Sequence, residues 1–154
     1  DILAYCLMPN HFHFLVKIKE YDEIKEYMEN LPDKKAVLEP YRYFSNFFNA
    51  YTKALNKKYD RTGSLFENRF KRKAVKDTDY FKVLVLYIHN NPVEHGFVDD
   101  PGKYSWSSYL SCINLKSATI DCKAVVGYFD NVGNFKTIHH EEMDYEEIEK
   151  WLGL

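Results

Sequence analysis

The stretch "MPNHFHFLVK", residues 8–17, decides the architecture. It joins a Pro-Asn turn to an alternating apolar run, the pattern of a strand leaving a hairpin. Side chains alternate faces along a strand, so His11, His13 and Leu15 share one face and Phe12, Phe14 and Val16 the other. Upstream, "ILAYCLM" (2–8) is a second run of strand length, and Pro9-Asn10 closes the two into a hairpin. Two imidazoles on one strand face can chelate a divalent metal, whereas on their own they read more often as exposed polar residues. Two ligands are too few for a stable site, so a third has to come from elsewhere in the chain.

The rest of the pattern supplies helices. "YDEIKEYMENL" (21–31) is a short helix that stops before Pro32. "YRYFSNFFNAYTKALNKKY" (41–59) is longer, with Phe44, Phe47, Phe48, Tyr51 and Leu55 recurring as one apolar stripe. After the turn "DRTG" (60–63), "SLFENRFKRKAV" (64–75) alternates like a strand. Asp77 or Thr78 can cap a helix over 79–91 that is apolar nearly all round and hence buried; Pro92 is expected to end it at Asn91. Tyr80, Leu84, Tyr87 and Asn91 share one face of that helix, with Tyr87 and Asn91 one turn apart. An Asn side-chain oxygen is a hard ligand suited to Mg²⁺ or Mn²⁺, and a tyrosine beside such an ion is a candidate nucleophile. On spacing alone Tyr87 reads as a core aromatic, one of thirteen tyrosines. Beyond Ser111, "DCKAVVGYF" and "DYEEIEKWL" read as short helices with an irregular link through Gly133. Strands around helices without a β-α-β-α rhythm favour an α+β fold with a mainly antiparallel sheet.

The chain has 154 residues, 45% hydrophobic and 29% charged, which suits a domain with a real core. Its net charge of -2 conceals an asymmetry: residues 53–76 hold nine Lys or Arg against two acids, and residues 121–150 hold eight acids against three bases. A basic segment is a solvated face or a nucleic-acid contact, and 17% aromatic residues could serve as core or as stacking platforms. Three cysteines without a C-x-x-C pair point to a reducing, cytoplasmic setting. No apolar run approaches the roughly 20 residues of a membrane span, and the apolar start lacks the basic flank of a signal peptide.

Three blocks in order, "YCLMPNHFHFLVK", "RTGSLFENRFK" and "YIHNNPVEHGFVDDPGKYSWSSY", resemble the REP-associated tyrosine transposases. These belong to the wider single-tyrosine group with the His-apolar-His (HUH) motif, and the match runs from about Ile2 to Tyr109. The resemblance implies a ferredoxin-like α+β fold, an antiparallel sheet with helices packed on one face. It implies a transposase and nuclease domain over 1–110, followed by a helical extension over 111–154. It implies that His11, His13 and Asn91 bind a divalent cation, Mg or Mn. Related insertion-sequence transposases carry Gln where this chain and the REP-associated branch carry Asn91. It further implies that Tyr87 attacks single-stranded DNA and forms a 5′-phosphotyrosine. Family members carry a further strand and helix before the segment matching Ile2, so an open sheet edge is expected.

The partners to expect are single-stranded DNA, with hairpins as the favoured form, and a second copy in a homodimer; no membrane is expected. The basic stretch supplies candidate DNA contacts. A strand over 64–75 sets Arg69, Lys71 and Lys73 on one face, with Arg61 and Arg72 beside it. The competing reading is a non-catalytic hairpin-binding module on the same fold. A weaker one is a metal-dependent phosphoesterase in which Tyr87 is structural. His139-His140-Glu141-Glu142 reads as a solvated acidic face, His89 and His95 as phosphate or solvent contacts, and Trp106 as core packing.

Overall fold

The structure, a computed structural model, describes residues 1–32, 37, 39–66 and 70–153. Among them are two strands, β1 (Ile2–Leu7) and β2 (Phe12–Val16), and seven α-helices. The helices are α1 (Tyr21–Glu29), α2 (Pro40–Lys58), α3 (Thr78–Glu94), α4 (Tyr109–Ile113), α5 (Cys122–Gly127), α6 (Val132–Ile138) and α7 (Tyr145–Leu152). The fold is therefore mixed helix and sheet, as the sequence suggests, and the sheet among the described residues has two antiparallel strands. The chain divides into two compact units, Asp1–Lys17 with Arg72–Leu154, and Ile18–Lys71.

In the first unit the hairpin forms as its turn chemistry dictates. The Met8 N–H donates to the His11 carbonyl at 2.9 Å, with Pro9 and Asn10 at the centre of the turn. Cys6 then faces His13 and Leu7 faces Phe12 across the ladder. A hairpin alone is marginal in water, so its inner face has to be covered. Ala4, Cys6 and Leu15 join one core with Leu84, Val85 and Ile88 of α3. Asp77 caps α3, accepting from the Tyr80 N–H at 2.9 Å, and residues 84–92 are buried.

Pro92 does not end this helix; α3 runs through it to Glu94. The missing proline N–H removes one intrahelical bond near the terminus, where the chain is already leaving the ladder. The last turn is held by His95 N–H donating to the Asn91 carbonyl at 3.1 Å and Phe97 N–H to the Pro92 carbonyl at 2.9 Å. His95 becomes the residue that caps α3. The link through Gly133 is also more regular than expected. It forms α6, whose Asn131 cap accepts from Asn134 N–H at 2.9 Å. Phe129, Phe135 and Ile148 bury their side chains in the same core as α3.

In the second unit, Pro40 stands in the first turn of α2, where its fixed φ suits the helix. The apolar stripe splits in two. Phe44, Phe48 and Leu55 are half-buried, with Phe48 ring to ring against Phe66 and Phe70 at 5.2 and 5.5 Å. Phe47 and Tyr51 stay 60% and 49% exposed, and no α2 side chain is fully buried. The strand expected over 64–75 does not form: residues 64–66 and 70–75 are irregular, and Glu67, Asn68 and Arg69 lie outside the described residues. A strand needs a ladder partner, and charges on both faces of this run leave neither face suited to a core. No helix among the described residues is long and apolar enough to cross a membrane.

Candidate functional site

The hairpin and α3 bring four of the expected residues together. His11 and His13 lie edge to face with ring centres 5.2 Å apart, so they do share a side of the strand. His11 Nε2 is 3.0 Å from Asn91 Oδ1, although 80 residues separate them in sequence. The His13 ring packs against Tyr87 at 5.4 Å. Asn91 and Tyr87 are each 1% exposed, while the two histidines are half-buried. The bond from α3 to His11, just ahead of β2, is local in space because Tyr87 and Asn91 sit one turn apart on the face that packs on the hairpin.

His11 is held at both nitrogens: Nδ1 lies 2.9 Å from Asn10 Oδ1 and Nε2 faces Asn91 Oδ1. A neutral imidazole has one N–H, so either Asn91 turned to present its Nδ2–H or a cation at Nε2 satisfies the second nitrogen. The second arrangement is the one in which a ligating histidine donates its other N–H to a fixed oxygen, here Asn10. The 3.0 Å separation equals that of donors on adjacent corners of an ion with bonds of about 2.1 Å. Asn91 Nδ2 is buried without a hydrogen-bond partner. His11 Nε2 and Asn91 Oδ1 are therefore spaced as two donors to one divalent cation would be, with the His13 ring beside them. Among the described residues no three His, Cys, Asp or Glu side chains form such a group, so the set depends on the amide.

The electrostatics favour a neutral His13 ring and a protonated phenol. Burial first, then the proximity of His11 and His95, pushes the His13 pKa down to about 4. Burial first, then the Glu149 carboxylate, pushes the Tyr87 hydroxyl up to about 12, against the downward pull of the Asn91 amide. Tyr145 packs on Tyr87 with ring centres 6.0 Å apart.

Three further residues stand at this site that the sequence does not assign to it. His95 lies 5.2 Å, ring to ring, from His11. Its i+4 relation to Asn91 would have exposed it, had Pro92 not been taken as the helix end. Glu149 and Tyr145 come from α7, more than fifty residues away, and nothing local announces them.

Other expected residues fall elsewhere. Arg61, Lys71, Arg72 and Lys73 are exposed; Arg61 and Lys71 belong to the second unit, Arg72 and Lys73 to the first. The Lys73 ammonium sits 4.9 Å over the Trp151 ring. Arg69 lies outside the described residues. Trp106 is 67% exposed rather than packed.

His89 is not a solvent contact but fully buried, and His139 is buried with it, leaving only His140, Glu141 and Glu142 as a solvated face. Their hydrogen bonds form a directed chain. His139 Nδ1–H donates to the Phe135 carbonyl at 2.6 Å, which leaves its Nε2 to accept from His89 Nδ1–H at 2.9 Å. His89 Nε2 then accepts from the Ser108 hydroxyl at 2.7 Å, and Ser108 Oγ accepts from Tyr5 N–H at 2.9 Å. One carbonyl therefore fixes both tautomers, and the chain ties α6, α3 and β1 together.

The family described as "Transposase IS200 like" matches residues 1–91, more than half of the chain. A Haemophilus influenzae protein named "Putative REP-associated tyrosine transposase" is 27% identical over 112 residues, 71% of this chain and 58% of that protein. The chain thus spans less than two thirds of the length of this curated relative. No solved structure matches the chain. With His11, His13, Tyr87 and Asn91 all inside the matched region, the chain belongs to the IS200-like transposase family.

Proposed function

We propose that the chain cleaves and rejoins single-stranded DNA at hairpin-flanked sites through a 5′-phosphotyrosine on Tyr87. The observation that carries this reading is the meeting of His11 Nε2 and Asn91 Oδ1 at 3.0 Å beside Tyr87. His11, His13 and Asn91 would hold a Mg or Mn ion, which when bound supplies Lewis-acid polarisation of the scissile phosphate. Asn10 fixes the His11 ring, and His13 packs against the phenol. In the first step the Tyr87 oxygen bonds to phosphorus and the P–O3′ bond breaks. The leaving 3′ oxygen takes up a proton, and the phenol proton departs. Glu149, beside the hydroxyl, is the candidate to receive it. Attack by another 3′-OH on the phosphotyrosine reverses the chemistry and joins strands without an external energy source.

The same proposal covers the finer architecture. β1 and β2 are two strands of a ferredoxin-like sheet, residues 1–110 are the HUH tyrosine transposase domain, and residues 111–154 are a helical extension. Arg61, Arg69, Lys71, Arg72 and Lys73 contact the DNA backbone, and a homodimer is the assembly to look for.

A second reading, a non-catalytic hairpin-binding module, is favoured by one observation: Tyr87 is 1% exposed with its pKa pushed up to about 12. Labelled single-stranded hairpin DNA separates the two. A covalent protein–DNA band that needs Mn²⁺ supports the nuclease. Tight binding with no band in Mg²⁺ or Mn²⁺ supports the module.

A further inference from the structure

Helix α2 keeps its outward face free of carboxylates and rich in aromatic surface. Its 19 residues include four Lys or Arg and no Asp or Glu, and none is fully buried. At 3.6 residues per turn the exposed side chains sort into three adjoining rows. Arg42, Lys53 and Lys57 form one edge, Ala50 and Ala54 a low floor, and Phe47 and Tyr51 the other edge, all exposed. The Phe47 and Tyr51 rings are near parallel, 22° apart with centres separated by 6.4 Å. Phe47 is 60% and Tyr51 49% exposed, and single-stranded nucleic acid is bound by this combination of cations and stacking rings.

We infer that this face of α2 is a docking surface for single-stranded DNA, with bases stacking on Phe47 and Tyr51 over the Ala50–Ala54 floor and phosphates following Arg42, Lys53 and Lys57. The inference rests on the proposed DNA substrate but assigns a contact outside the tyrosine site. The charge decides the occupant. A row of unpaired-sign cations along an apolar strip repels a second copy of itself, whereas a polyanion with flat faces satisfies both edges. The neutral floor matters as well, since side chains longer than alanine between the rows would hold a base away from the rings.

The test is fluorescence anisotropy of a labelled oligo-dT with the full chain at low salt. Phe47→Leu with Tyr51→Leu keeps apolar bulk but removes both π faces, and should weaken binding at least about fivefold, the value of one lost stack at its weakest. Phe47→Trp with Tyr51→Phe should keep parent affinity. Lys53→Gln with Lys57→Gln should lower the slope of log affinity against log salt by about 1.4, independently of the ring variants. Unchanged affinity in the leucine pair, or an unchanged slope in the glutamine pair, overturns the inference. So does a parent dimer that the leucine pair converts to monomer with DNA affinity intact, because a second copy then covers the face. Adduct formation at saturating DNA separates the two readings. If the parent forms the Tyr87 adduct and the leucine pair binds DNA as tightly, this surface is wrong and the tyrosine site stands. If the parent neither binds nor reacts, the substrate itself is wrong.

Discussion

Ser108→Ala removes one oxygen at the junction of β1, α3 and α6, and its cost can be worked from the hydrogen bonds it breaks. The hydroxyl donates to His89 Nε2 at 2.7 Å and accepts from Tyr5 N–H at 2.9 Å. His89 is fully buried, so no water replaces the lost donor. His89 cannot turn its ring to compensate, because Nδ1–H is committed to His139, which is committed in turn to the Phe135 carbonyl. One buried and one partly buried group are left unpaired at about 1–3 kcal/mol each, a loss of about 2–6 kcal/mol. With a urea dependence of about 2 kcal/mol/M, the unfolding midpoint should fall by about 1–3 M at pH 7.5 without a change in slope. Ser107→Ala is the control. Ser107 is also buried, but both of its hydrogen bonds lie at 3.4 Å, the outer limit of useful geometry, so its midpoint should hardly move. A Ser108→Ala midpoint within about 0.3 M of the parent, or equal losses for the two serines, would refute the directed chain.

The buried histidines also predict acid lability. His139 is held down at about 4 by burial, and His89 is held well below its ordinary value by burial first and then by His139. A histidine depressed from 6.5 takes its proton in the unfolded chain first, so stability is complete above about pH 6.5 and drains as pH falls towards 4. For His139 alone that is about 3 kcal/mol, and urea midpoints at pH 7.5 and 4.5 should show it; a flat profile contradicts the buried pair. In Mn²⁺ titration calorimetry, Asn91→Ala should abolish measurable binding, and Asn10→Ala, which frees the His11 ring, should weaken it by about tenfold. Parent affinity in both variants would remove the metal from the account. Lys71→Ala with Lys73→Ala should lower the salt slope of single-strand binding by about 1.4; an unchanged slope would mean that neither lysine meets phosphate.

The hairpin was legible because its information is local: a Pro-Asn turn and a period of two fix which side His11 and His13 take. Tyr87 and Asn91 were legible for the same reason, four residues apart on a helix. What failed was tertiary. Pro92 was given its local meaning as a helix stop, yet burial of residues 84–92 holds the helix through it, and His95 was lost as a result. His89 and His139 were taken as solvated because they are polar, but each satisfies the other from 50 residues away. Residues 64–75 alternate like a strand, and no ladder partner reaches the described part of that run. Glu149 reaches Tyr87 from α7, a contact no window of sequence contains.

The central claim is that Tyr87 is the atom donor to phosphorus, and mass spectrometry of the trapped adduct tests it most directly. Parent chain incubated with hairpin single-stranded DNA and Mn²⁺, then digested with nuclease and protease, should yield a nucleotide-bearing peptide modified on Tyr87. Tyr87→Phe should yield no adduct at any Mn²⁺ concentration, while its urea midpoint and DNA affinity stay near those of the parent. A nucleotide on Tyr80, Tyr104 or Tyr145, or cleavage that persists in Tyr87→Phe, would contradict the account.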